Sequence, residues 1–503
     1  MSWDQPLNLS FTMTEFWLIA YIIFMIISVV LIVSENREPA STLAWLLLFW
    51  FLPGIGFFLY IITGRNWRLR SNKKIKASKK IKKELQNILK LTLKQEQTVI
   101  KEIKNNISGD HVDKIIALLK NNSNSFFTGN NQITVLQNGS EKFPRLLEDI
   151  KNAKHFIHLE YFIWQNDNLT KKITHLLIEK RKNGVEVRLI VDPIGWFLFD
   201  KNFLSKLVLI KKMRKSGLKI IFFFNTLSPL RFTTINYPLH RKIAIIDGKI
   251  GYTGGMNMGL EYLQGSKRFA SWRDTHLRIK GEAALALQAF FAQNWNQVTG
   301  SNKLFKPEYF PVNKLNLRKN NPQAINLVAC GPDSEWDAIR QLFFLMVTRA
   351  KKKVYIQSPY FVPDPGFFEA LKITALSGVD IRLMIAGIPD KKIPYWTAYT
   401  YFEKLLQAGV KIYHYEKGFL HAKTITIDSE ICTIGSSNLD IRSFQISHEI
   451  NAFIVNKKIA LKMENDFLKD LSRCRQFTLK DYAKINWFKK MRNYFVKLLA
   501  PLL

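Results

Sequence analysis

Cysteine is scarce. The 503 residues hold three, Cys330, Cys432 and Cys474, odd in number and far apart. Such a set builds neither a disulfide framework nor a thiolate metal centre, and it reads as reduced thiols in a reducing compartment. Acids are also short: 40 Asp and Glu stand against 74 Lys and Arg, a formal charge of +34. That balance points to anionic partners such as lipid headgroups, a membrane surface or nucleic acid. Biased composition accounts for part of the excess, because Lys, Ile and Asn are abundant throughout, but not for its clustering. The first fifteen residues contain no Lys or Arg, which argues against a cleaved signal peptide with a basic leading region.

What the chain does have near its start is apolar length. Phe16 to Val33 is unbroken, and Leu43 to Thr63 is a second run, each long enough for a membrane-crossing helix. Pro53, Gly54 and Gly56 interrupt the second, so it is expected to kink, re-enter or cross. Between the runs, SENREPAST holds one Arg and two Glu, whereas Arg65 to Lys83 packs ten Lys or Arg with no acid. The positive-inside rule then puts the exit of the second run, and with two spans both termini, in the cytoplasm. The basic stretch continues with helical periodicity, as a solvated linker helix or one lying along anionic lipid.

Farther on, one pattern occurs twice. His240, Lys242, Asp247, Gly254 and Asn257 match His421, Lys423, Asp428, Gly435 and Asn438 in the spacing HxKxxxxDxxxxxxGxxN. Five fixed positions match by chance roughly once in a few million starting points. The repeat is much longer than the motif: KHFIHLEYFIW answers to KKVYIQSPYFVP, and NGVEVRLIVDPIG to SGVDIRLMIAGIP. Within each half, β-branched runs alternate with apolar-periodic segments, predicting a sheet with helices on its faces. The expected units are 1–64, a transmembrane hairpin; 65–130, a basic helical linker; 131–300 and 322–478, the halves; 301–321, their joint; and 479–503, a basic amphipathic helix. That last helix lies at a membrane surface or docks on the second half.

Residues two apart on a strand share a face, so His and Lys at that spacing present an imidazole beside an ammonium, a place for a phosphate. DGK and DSE read as tight turns into a returning strand, whose Gly and Asn admit a ligand to the backbone and add an amide donor. Opening a phosphodiester without a metal needs a nucleophile, cationic stabilisation of the oxygens and an acid for the leaving oxygen. Two copies supply two imidazoles and two ammoniums. Asp247 and Asp428 lie an odd number of residues from their histidines, so they are expected to pin the turn rather than face the substrate.

These two motifs are the HKD motifs of the phospholipase D superfamily, and over nearly its full length, including the apolar start and NLDIRSF, the chain resembles bacterial cardiolipin synthases. The resemblance implies an α/β fold of two pseudosymmetric phospholipase D-like halves, each a mixed sheet flanked by helices, behind a transmembrane hairpin. It implies a covalent phosphohistidine in a shared pocket, with His240, Lys242, Asp247, His421, Lys423 and Asp428 as the catalytic set and no metal or other cofactor. The residues alone do not choose the phosphorylated imidazole; family habit favours His240.

An imidazole nucleophile needs its second nitrogen held by an acceptor. Asp274 in WRDTHLRI and Glu449 in SHEINAFI stand where the family has an acid. Ser436 and Ser437 could donate to phosphate oxygens, as could Arg442, which could equally clamp Asp440 or Glu449. Asn257 and Asn438 complete the substrate-binding set. Of Tyr161, Phe162, Tyr360 and Phe361, the phenylalanines are expected in the core. The first half carries an insertion, NTLSPLRFTTINYP, beside His240, a part of the acceptor pocket, a lid or an ordinary loop.

The expected activity is transfer of a phosphatidyl group between two phosphatidylglycerols, giving cardiolipin and glycerol, at a bacterial cell membrane with anionic lipids as partners and no nucleic acid. Phosphatidylethanolamine as acceptor, or water in a phospholipase D-type hydrolysis, would use the same residues. The membrane hairpin weighs against a nuclease, and two intact motifs against an inactive scaffold.

Overall fold

Strands dictated by the alternating runs appear in order as β1 (Phe127–Thr128), β2 (Asn131–Gln137), β3 (Phe156–Tyr161), β4 (Glu186–Val191), β5 (Lys219–Phe222), β6 (Lys242–Ile246), β7 (Ile250–Gly254), β8 (Trp272–Arg273) and β9 (Thr275–Gly281). There follow β10 (Ala324–Cys330), β11 (Lys353–Ser358), β12 (Phe361–Val362), β13 (Asp380–Ala386), β14 (Lys411–Tyr415), β15 (Phe419–Leu420), β16 (Thr424–Ile427), β17 (Ile431–Gly435), β18 (Leu439–Asp440), β19 (Glu449–Val455) and β20 (Cys474–Phe477). The computed structural model describes residues 12–35, 39–60, 64, 90–107, 110–123, 125–197, 203–223, 236–301, 303–311 and 323–498.

The first half is a seven-stranded sheet, β2-β9-β7-β6-β3-β4-β5. The second repeats it as β10-β19-β17-β16-β11-β13-β14, with β1 added at one edge and β20 at the other. In each half the last three strands run parallel and the others antiparallel. Parallel neighbours require crossovers, and the helices Asn168–Lys182 and Pro365–Leu376 provide them. Each motif straddles a hairpin, β6–β7 or β16–β17, turned through consecutive left-handed residues, Asp247 and Gly248 or Asp428 and Ser429. The Asp247 carboxylate accepts the backbone N–H groups of Lys154, His155 and Phe156 at 2.7–2.9 Å, and Asp428 accepts those of Lys351, Lys352 and Lys353 at 2.8–2.9 Å. Each motif aspartate therefore ties its turn to the start of the adjacent strand.

The halves share a core. Leu277, Ile279 and Leu287 of the first pack in one cluster with Ile434, Ile450 and Ala452 of the second. Burying a side chain of this kind contributes roughly 1.5–3 kcal/mol, so this common cluster fixes how the sheets face one another.

The region before the first half differs from the sequence expectation. The segment read as a linker becomes, from residue 90, part of the second half. Helices Lys90–Asn106 and Asp110–Asn122 bury Val99, Ile103, Ile115 and Leu119 against Val328, Ile339 and Leu342, and β1 pairs with β10. Their apolar stripe is matched by a sheet face that would otherwise stay uncovered. Arg65 to Lys83 lies outside the described residues. At the amino end, Thr12 and Glu15 form a reciprocal cap on the helix Met13–Ser34, whose 22 residues are long enough and, after Glu15, apolar enough in composition to cross a bilayer. The second run is interrupted where Pro53 and the glycines lie: helix Pro39–Phe51 stops at Leu52 and restarts as Pro53–Leu59, because Pro53 has no N–H to continue the ladder. Trp45, Phe49 and Tyr60 nevertheless pack with Ile32, Phe24 and Met25 of the first helix.

Candidate active site

The site is assembled by strand pairing between the halves. Two-residue β15 runs parallel to β8, with Leu420 opposite Arg273, so the next residues, His421 and Asp274, emerge side by side. A parallel bridge between Leu239 and His448 does the same for His240 and Glu449. Main-chain bonds lock both registers: His421 N–H to Arg273 O at 2.7 Å and His240 N–H to His448 O at 3.0 Å. Each histidine thus meets the acid of the opposite half. His421 Nδ1 lies 2.7 Å from Asp274 Oδ2, and His240 Nδ1 lies 2.8 and 3.0 Å from the two Glu449 oxygens.

A carboxylate accepts and cannot donate, so each Nδ1 carries the proton and each Nε2 offers its lone pair. Burial, reinforced by the positive charges of Lys242 and Lys423, holds His240 well below the usual imidazole range. Burial and Lys423 bring His421 down to about 4. Both rings are neutral bases near pH 7. Burial also lowers Lys242 to about 7 and Lys423 to about 8, against attraction from the nearby carboxylates, and raises Glu449 to about 7. A phosphate entering the site would hold both cations charged.

Both histidines line one cavity of about 750 Å³, together with Asn257, Asn438, Arg442 and Glu449. Four of the expected site residues have partners within the protein. The ammonium groups of Lys242 and Lys423 donate to the carbonyls of His240 and His421. Ser436 donates to Glu449 and accepts from Ile450 N–H at 3.0 Å, so it braces the acid rather than facing a ligand. Ser437 Oγ is turned onto Asn438 O at 3.2 Å. The motif glycines do not open a path for a ligand. A Cβ on Gly254 would fall 2.7 Å from Thr275 O, and one on Gly435 2.5 Å from Ile450 O, so the space belongs to the strand that carries the acid.

Arg442 reaches Asn236 O at 3.3 Å and lines the cavity. Phe162, expected in the core, also lines it, with its ring 5.1 Å from that of His240. Tyr360 lines it too, whereas Tyr161 and Phe361 are buried in the cores. The insertion beside His240 falls mainly outside the described residues, but its last residue, Pro238, lines the cavity and accepts the His448 N–H at 2.9 Å. Sequence reasoning missed Tyr262, whose hydroxyl stands 3.5 Å from His421 Nδ1 and 3.3 Å from Asn257 Nδ2, and Trp272, whose ring lies 5.5 Å from His421. It also missed Lys142, buried, whose ammonium donates to Met256 O at 2.9 Å and steadies the motif loop. Nothing local marks these three. Among the described residues, no cluster of three or more His, Cys, Asp or Glu could hold a metal ion.

The arrangement offers two opposed neutral imidazoles, each aimed by a carboxylate, around one volume with cations nearby. That suits attack on a phosphorus from one side and proton exchange with a leaving oxygen on the other.

Comparison with known proteins agrees. A family described as cardiolipin synthase, PLD-like domain, matches residues 146–295 and 345–471, and one described as phospholipase D-nuclease N-terminal matches residues 19–65. The chain is 38% identical over 485 residues to the major cardiolipin synthase ClsA of Bacillus subtilis (strain 168), covering 96% of this chain and 98% of that one. It is 39% identical over 499 residues to the cardiolipin synthase of Listeria monocytogenes serotype 4a (strain HCC23), covering 97% and 100%. The crystal structure of the phosphatidylserine synthase of Haemophilus influenzae Rd KW20 shares the fold, with a TM-score of 0.55 at 14% identity over 78% of this chain and all of that one. The duplicated sheets, the two motifs brought to one cavity and this near full-length likeness together show that the chain belongs to the cardiolipin synthase family of phospholipase D-like proteins.

Proposed function

We propose that the protein joins two phosphatidylglycerols into cardiolipin and glycerol through a phosphohistidine. The observation that carries this reading is the pair of cross-braced imidazoles on a single cavity. One Nε2 attacks the phosphorus of the donor lipid, the bond from phosphorus to the headgroup glycerol breaks, and the opposite imidazole, which takes up a proton from water as the anionic phosphate enters and raises its basicity, gives that proton to the departing oxygen. That imidazole then takes the proton of a glycerol hydroxyl on the second lipid. The hydroxyl oxygen attacks phosphorus, the phosphorus–nitrogen bond breaks, and both rings return to their starting state. Lys242 and Lys423 supply positive charge beside the reacting phosphate, and Asn257, Asn438 and Arg442 line its surroundings.

Transfer outruns hydrolysis when the acceptor is concentrated at the site, which anchoring by Met13–Ser34 favours. The apolar start is read as a two-span hairpin in a bacterial cell membrane, with the catalytic halves and both termini cytoplasmic. The ten basic residues from Arg65 to Lys83 support that orientation.

The full-length protein in vesicles containing headgroup- and acyl-labelled phosphatidylglycerol tests the reading. Cardiolipin and glycerol in equal amounts are expected, with turnover lost by at least about 10⁴-fold in both His240→Ala and His421→Ala. Phosphatidic acid as the main product, or either variant at full activity, overturns it.

A further inference from the structure

The C-terminal helix Trp487–Leu498 is docked the wrong way round for a soluble protein. At 100° per residue, Trp487, Phe488, Met491, Tyr494, Phe495 and Leu498 fall on one face, and they are 43–74% exposed. An amphipathic helix of a globular domain buries that face. Here the other side is docked instead: Asn493 and Val496 are buried, and three cations of the helix rest on aromatic rings. The Arg492 guanidinium lies 4.1 Å from the Trp396 ring centroid, Lys497 Nζ 4.3 Å from that of Tyr401, and Lys490 Nζ 4.5 Å from that of Tyr482. Such contacts contribute about 0.5–2 kcal/mol each. They hold the helix while leaving its apolar side outward.

What covers that side is decided by charge. The twelve residues include Lys489, Lys490, Arg492 and Lys497 and no acid. Lys489 and Arg492 remain exposed at its border, so an anionic lipid surface satisfies both the charge and the apolar residues, whereas a second copy would bring like charges together. The chain is already tied to a bilayer by Met13–Ser34, which raises the local concentration of that surface. The docking partner also matters. Trp396 belongs to the helix Lys392–Gln407, whose first turn, Lys392, Ile393 and Pro394, lines the active-site cavity.

We infer that the C-terminal helix lies in an anionic bilayer interface through Trp487, Phe488, Met491, Tyr494, Phe495 and Leu498, seating the cavity rim formed by Lys392–Pro394 at the lipid surface. A nitroxide on Phe495→Cys reports this directly, in the full chain carrying Cys474→Ser and reconstituted in vesicles of phosphatidylglycerol and phosphatidylcholine. Cys330 and Cys432 are buried. Collisions with oxygen should exceed those with a water-soluble nickel chelate, while a label on Lys489→Cys shows a smaller ratio. A nickel-accessible Phe495 label overturns the inference, and so does spin–spin broadening that persists on dilution with lipid, which would identify a second copy as the occupant. The nitroxide readout is independent of catalysis. A second arm rests on the proposed transfer activity: Phe488→Glu combined with Phe495→Glu should lower turnover on vesicles roughly tenfold and leave turnover on detergent-dispersed lipid within about twofold. Equal activity on both forms of lipid overturns the seating.

Discussion

The two halves repeat one strand order, yet they brace each other's histidines with different hardware. The second half offers His240 a glutamate, Glu449, itself held by the Ser436 hydroxyl. The first half offers His421 an aspartate, Asp274, with Gly255 at the position equivalent to Ser436 and the Tyr262 hydroxyl alongside. A Cβ on Gly255 would fall 2.1 Å from Asp274 Oδ1, so a serine cannot be accommodated there. What the halves share, a neutral imidazole aimed by an acid across the interface, is what the reaction needs from both sides of the phosphorus. What differs is the acid and what supports it, and that is where the two histidines can take separate parts.

Breaking the braces gives the largest effect. Asp274→Asn is expected to lower turnover on the order of 10³-fold, and Glu449→Gln about 10²-fold. Burial has already raised Glu449 to about 7, so a neutral amide changes less charge there. Steady-state turnover on phosphatidylglycerol vesicles checks this, and equal losses would make the halves functionally equivalent. Next, Ser436→Ala should cost about tenfold by loosening Glu449, and should cost almost nothing in the Glu449→Gln background; additive losses would mean that the hydroxyl acts on substrate directly. The smallest effect is on pH dependence. Lys242 and Lys423, lowered to about 7 and about 8, lose their protons as pH rises. The kcat/KM of the free enzyme should therefore fall about tenfold between pH 7 and 8, about fivefold of it from Lys242, and a profile flat to pH 9 would remove the lysines from the rate.

Much of the site was legible. The doubled spacing located both histidines, and the parity of Asp247 and Asp428 placed them at the turn, where their carboxylates collect three N–H groups each. The roles given to Ser436, Ser437 and the motif glycines were read as if a ligand lay beside them. The neighbour is in fact the next strand, which sequence periodicity cannot see because β9 and β19 begin 21 and 14 residues after Gly254 and Gly435. The helices from Lys90 to Asn122 showed their amphipathic face in the sequence but not the sheet that receives it.

The amino-acid order by itself determined the duplicated strand pattern and the apolar start, since each depends on neighbours a few residues away. Only the tertiary structure decided which acid meets which histidine. Asp274 and His421 are 147 residues apart, and Glu449 and His240 are 209 apart. They are joined by a two-residue strand pair and an isolated bridge. Segments that short have no register of their own, and the shared core of the two sheets supplies it.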